Sequence, residues 1–174
     1  PRINATAQNA DRKTLLAGLT WLLPESFGPL GNTSFSAGYV NGRARAGTET
    51  VQNLYLGVGL PLPSERWSLG LVYDARVLDG AGNDDSVIGA YLGHRLNEKL
   101  SLNLRGELFR DGAKLFSSES PAEQSDGHGL TATLDYKLWE NVLSRLEYRW
   151  DHTDSLVNGR NNTQALHLNL IYEF

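Results

Sequence analysis

The chain has 174 residues, a net charge of −4, no Cys and no Met. That length points to one domain, and the lack of a basic excess excludes nucleic acid as a partner, because phosphates demand clustered Lys and Arg. Without Cys there are no disulfide scaffolds, thiolate metal ligands or cysteine nucleophiles. The absence of Met leads us to expect a processed or excerpted product from which any signal peptide has gone. The longest apolar run, residues 15–23 (LLAGLTWLL), is too short for a membrane helix, which needs roughly 20 residues. A transmembrane β-barrel remains open, because its apolar face is diluted by a polar one and leaves no hydropathy peak.

In chain order, residues 1–12 read as a loop, or as a weak first strand over 3–7. Strands are then predicted at 13–23 and 33–42. Next, Leu54, Leu56, Val58 and Leu60 oppose Asn53, Tyr55, Gly57 and Gly59. Trp67, Leu69, Leu71, Tyr73 and Ala75 oppose Ser68, Gly70, Asp74 and Arg76. A strand over 86–96 carries His94 on its apolar face near one end. Leu100, Leu102, Leu104 and Leu108 oppose Ser101, Asn103, Arg105 and Glu107, and Leu130, Ala132, Leu134, Tyr136 and Leu138 oppose Thr131, Thr133, Asp135 and Lys137. Leu146, Tyr148 and Trp150 oppose Arg145, Glu147, Arg149 and Asp151. Finally Leu166, Leu168, Leu170, Tyr172 and Phe174 oppose Ala165, His167, Asn169, Ile171 and Glu173. Period-two alternation of this kind makes one-sided strands, whereas on a helix the same leucines would be scattered around the axis.

The strands run about 10 to 12 residues, a length suited to a tilted membrane crossing. Connections over 60–67, 96–100 and 138–142 are tight, whereas 78–86, 110–128 and 152–161 are longer and polar. Short turns on one rim and long loops on the other fit a transmembrane barrel. Trp67, Tyr136, Trp139, Tyr172 and Phe174 are expected near the short-turn rim, and Tyr73, Tyr148 and Trp150 toward the long-loop rim, as aromatic belts at two membrane interfaces. A soluble antiparallel barrel or sandwich with leucines inside is the competing reading.

In the membrane reading the polar face encloses water. Arg76, Arg95, Arg105, Glu107, Asp135, Lys137, Arg145, Glu147 and Arg149 are then candidate pore-lining residues, together with Asp74, Asp151 and Glu173. Such charges either pair across strands and stiffen the wall or act as fixed charges that filter ions, with Arg105, Arg145 and Arg149 the candidates for that filter. No catalytic residue, cofactor or metal is expected. The four histidines, His94, His128, His152 and His167, show no ligand spacing, and His152 beside Asp151 and Asp154 lacks a nucleophile. The stretch 79–86 (DGAGNDDS), with Asp79, Asn83, Asp84 and Asp85, lacks the spacing of a Ca²⁺ loop and reads as a solvated turn. The 111–127 loop, with Leu115 and Phe116, reads as a surface loop or an inward constriction. Gly57 and Gly59 inside a strand point to close packing or a bend.

The chain ends LEYRWDHTDSLVNGRNNTQALHLNLIYEF over 146–174. Its alternation and terminal Phe174 resemble the closing strand of bacterial outer-membrane proteins, which implies recognition by the barrel assembly machinery. LEYRWDHTD, NTQALHLNLIYEF and DRKTLLAGLTWLLP (11–24) resemble the OmpL-like β-barrel porin family. The resemblance implies a Gram-negative outer-membrane location, contact with outer-membrane lipid and lipopolysaccharide, and a passive pore for small hydrophilic solutes or ions. It carries over no catalytic residue. Strand parity adds that single-chain bacterial barrels have even numbers of strands, whereas about nine are counted here. The expectation is therefore one barrel domain over 1–174, all-β and antiparallel, that is either the C-terminal part of a larger barrel or about ten-stranded. Missing strands would come from a longer chain, a homo-oligomer or a larger envelope complex. A non-conducting barrel that anchors or sheathes a partner and a soluble ligand-binding barrel are the alternatives.

Overall fold

The computed structural model describes residues 13–43, 50–78, 84–111, 125–157 and 160–172. The expectations for 1–12, Asp79, Asn83, Leu115, Phe116, Glu173 and Phe174 lie outside them. The described chain is one antiparallel sheet of nine strands in sequence order. These are β1 (Leu15–Leu22), β2 (Ser34–Arg43), β3 (Thr50–Leu60), β4 (Trp67–Leu78), β5 (Asp84–Arg95), β6 (Leu100–Asp111), β7 (Ser125–Trp139), β8 (Val142–Val157) and β9 (Arg160–Tyr172). Each strand pairs only with its chain neighbours. β1 and β9 are the two edges, so the sheet is not closed among the described residues.

The register is what turns nine alternating segments into two faces. In an antiparallel pair, directly opposed residues point to the same side. Leu56 opposes Ala37 and Tyr73, Leu92 opposes Leu69 and Leu104, and Leu146 opposes Leu134 and Leu168. The leucine stripes read from the sequence therefore join into one apolar face across the whole sheet. On the other side Asn53 opposes Arg76, Arg105 opposes Tyr91 and Thr131, and Asp135 opposes Arg145.

No dry centre receives the apolar face. Among the described residues the one fully buried large apolar side chain is Leu23, whereas Leu166, Leu168 and Leu170 on β9 are 69%, 73% and 71% exposed. Leu23 sits in the β1–β2 connection, where its N–H donates to the Thr33 carbonyl at 2.8 Å. That connection contains a 3-10 segment, Glu25–Leu30, which alternation alone did not reveal. Asn32 turns the chain with φ of 65°, a left-handed conformation that Asn tolerates. No helix among the described residues is long and apolar enough to cross a membrane, which says nothing of strands.

The tight connections expected at 60–67, 96–100 and 138–142 are present. The long ones are shorter than expected. β5 already begins at Asp84, β6 continues to Asp111, β7 starts at Ser125, and β8 and β9 extend to Val157 and Arg160. The strands span 8 to 16 residues rather than 10 to 12. The physical reason is that side-chain alternation ends where both faces become polar, while backbone pairing needs no apolar residue and runs on.

Gly57 and Gly127 show where the sheet depends on a missing side chain. Tyr55 lies over Gly57, whose added Cβ would meet the ring Cζ at 3.2 Å, so the close-packing option holds. A Cβ on Gly127 would collide with the His152 carbonyl of β8 and the Phe109 ring of β6, one from each neighbouring strand. Because a backbone atom cannot swing away, Gly127→Ala is expected to cost about 1–3 kcal/mol as overpacking. The check is a lower urea midpoint at unchanged slope.

Candidate functional site

Most charged groups of the strands lie on the polar face and concentrate on β6, β7 and β8, whereas Arg110 and Asp126 pair at the long-loop end on the side of the leucines. The Arg145 guanidinium donates to both carboxylate oxygens of Asp135, Nε at 2.7 Å and an Nη at 3.0 Å, a forked pair made possible by their directly opposed positions. Asn103 Nδ2 donates to the same carboxylate at 3.2 Å. Toward the long-loop rim, Glu107 lies between two arginines, 3.3 Å from Arg105 Nε and 3.8 Å from an Nη of Arg149. Arg149 Nε also donates to Asp151 at 2.6 Å. Arg105 reaches the Thr131 hydroxyl at 3.4 Å, and the Thr133 hydroxyl donates to Glu147 at 3.1 Å. Farther along the wall Arg76 pairs with Asp85.

The register therefore gathers Arg76, Arg105, Glu107, Asp135, Arg145, Glu147 and Arg149 on one face, and every arginine of this group faces a carboxylate. Arg95 and Lys137 share that face but sit at the short-turn rim, apart from the β6–β8 network. Asp85 was not legible as a member, because it stood in a stretch that reads as a turn; it is on β5, 7% exposed, directly opposite Arg76. Asp84 is likewise on β5 rather than in a loop.

The aromatic side chains expected in the belts lie on the opposite, apolar face, whereas Tyr55 and Tyr91 stand on the polar one. Trp67 stacks on His94 with ring centroids 3.8 Å apart at the short-turn end, and Tyr136 and Tyr172 stand at the same end of their strands. Trp139 is at the β7–β8 turn and 70% exposed. Trp21 and Phe35, 5.8 Å apart, continue this row onto β1 and β2, although neither was among the expected belt residues. Tyr73 and Tyr148 sit near mid-strand. Trp150 is closer to the long-loop end, in a cluster with His128 and His152.

The histidines do meet in one place. His128 and His152 are cross-strand partners with rings 5.1 Å apart, a proximity the sequence spacing hides. His152 also bonds Asn162 at 3.0 Å. Asp151 points to the other face, so the local Asp-His grouping dissolves. Among the described residues no group of three or more His, Cys, Asp or Glu converges as metal ligands.

An exposed apolar face, a polar face with opposed charges and aromatic residues at the short-turn end together describe a barrel wall. A comparison with protein-family models matches residues 2–174 to the family described as "Putative beta-barrel porin-2, OmpL-like". The chain belongs to this family. No match is found among curated proteins. The fold is accordingly the all-β, antiparallel wall expected of an OmpL-like porin.

Proposed function

We propose that the chain forms the wall of an outer-membrane porin through which small hydrophilic solutes or ions diffuse passively. The observation that carries this reading is the uncovered apolar face, continuous over nine strands and backed by ionised side chains. Such a face is stable against hydrocarbon. A guanidinium on it would cost about 2–4 kcal/mol at the bilayer midplane, so the arginines belong on the water-filled side.

In this reading lipid and lipopolysaccharide cover the leucines, and β9 is the strand presented to the assembly machinery. The edges also require cover, since unpaired backbone groups in hydrocarbon are costly. β1 and β9 run in the same direction, so joining them directly would make a parallel seam foreign to even-stranded bacterial barrels. In this reading, strands beyond the nine described complete the barrel. The second reading, a sealed barrel that anchors a partner, draws on the arginine–carboxylate network, which can fill a narrow interior.

Planar-bilayer recording on the full-length native protein separates the two. Stepwise conductance is expected. Membranes that stay sealed at all voltages would overturn the pore and favour the anchor, and partition into buffer rather than detergent would overturn both in favour of a soluble barrel.

A further inference from the structure

The mid-wall arginines are neutralised, but the short-turn rim is not. There the Arg95 N–H donates to the Arg66 carbonyl at 2.8 Å, and the Lys137 N–H donates to the Lys99 carbonyl at 2.8 Å. These two backbone bonds bring four cationic residues to one groove of about 940 Å³, which Ser101 and Glu98 also line. Among the described residues none of the four makes an ion pair. Asp135 reaches the groove too, but both its oxygens are held by Arg145. Glu65 and Glu140 belong to turns at the same rim and do not line it. Among the described residues, four cations thus face one uncommitted carboxylate, Glu98. Like charges crowded without counter-charge repel one another, and an entering anion relieves that repulsion.

We propose that this groove is an anion-collecting vestibule. It binds small solutes bearing phosphate or several carboxylate groups, and it sets the charge preference of the pore in place of the paired arginines of the wall. Its role in flux rests on the porin reading; anion binding to the groove does not. A groove of this volume admits a solute with several oxyanion groups, and fixed charge at a mouth filters ions without tight binding.

The test uses the full-length protein in detergent, titrated by calorimetry with inorganic phosphate and, separately, with citrate. At least one is expected to bind at low salt and to lose threefold or more in affinity in Arg95→Gln/Lys137→Gln. The pair Arg66→Gln/Lys99→Gln, exposed turn residues, should give the same loss and so guards against a folding artefact in the first variant. Binding by neither anion, or equal binding by wild type and both variants, would overturn the vestibule. In a KCl gradient across a planar bilayer, the wild-type reversal potential should report preference for Cl⁻ and move toward zero in either variant. Conductance with an unchanged potential overturns the vestibule and leaves the porin standing. Sealed bilayers with variant-sensitive anion binding overturn the porin and support the anion site.

Discussion

Leu168→Arg is expected to lower stability in a bilayer by about 2–4 kcal/mol, the depth-dependent cost of a lipid-facing guanidinium. Arg placed one residue later, in Asn169→Arg, should cost at most about 1 kcal/mol, the scale of a like-charge pair with the opposed Arg145. Leu168 opposes Leu146 on the apolar face and is 73% exposed, whereas Asn169 opposes Arg145 on the polar face. The two sites share a strand and nearly the same depth, so hydrophobic environment is what differs between them. Urea unfolding of the full-length protein folded into lipid vesicles measures both. A soluble protein would tolerate Arg at such an exposed position, so equal stability of the two variants would remove the lipid-facing assignment.

Glu107→Ala is expected to cost about 1–2 kcal/mol. Removing one partner of a fully buried ion pair costs about 3–5 kcal/mol, and the discount reflects arginines whose side chains remain about a third exposed to solvent, where water screens the loss. Glu107 lies between Arg105 and Arg149, with its own side chain 16% exposed. Its loss leaves Arg105 with the Thr131 hydroxyl alone, while Arg149 keeps Asp151. Arg149→Ala should cost a similar amount, because Arg105 and Glu107 retain each other but Asp151 loses its 2.6 Å donor. Denaturant unfolding of Glu107→Ala, Arg149→Ala and the double variant checks the link, and strictly additive costs would show that Glu107 does not join Arg149. In a conducting barrel, Glu107→Ala should also shift the reversal potential toward anions, since a fixed negative charge leaves the wall.

Much of this architecture is local information. Side chains of a strand alternate with period two, so Leu100, Leu102 and Leu104 against Ser101, Asn103 and Arg105 declare both a strand and its two faces without reference to any neighbour. The terminal alternation through Leu166, Leu168 and Leu170 carried the family resemblance in the same way. The extent of the strands was less legible. Ser125 to His128 read as loop because Ser, Asp, Gly and His leave no apolar stripe, yet pairing with β6 continues through that stretch.

The chain alone determined where the alternating segments lie, which side of each is apolar, and that charges of both signs share the other side, because these follow from alternation within a single segment. Only the tertiary structure decided who meets whom. It set Asp85 against Arg76, Glu107 between Arg105 and Arg149, His128 beside His152, and Arg66 and Lys99 beside Arg95 and Lys137. Register is a property of two strands, held by hydrogen bonds between backbones that are alike at every position. No residue type along one strand announces its opposite number on the next.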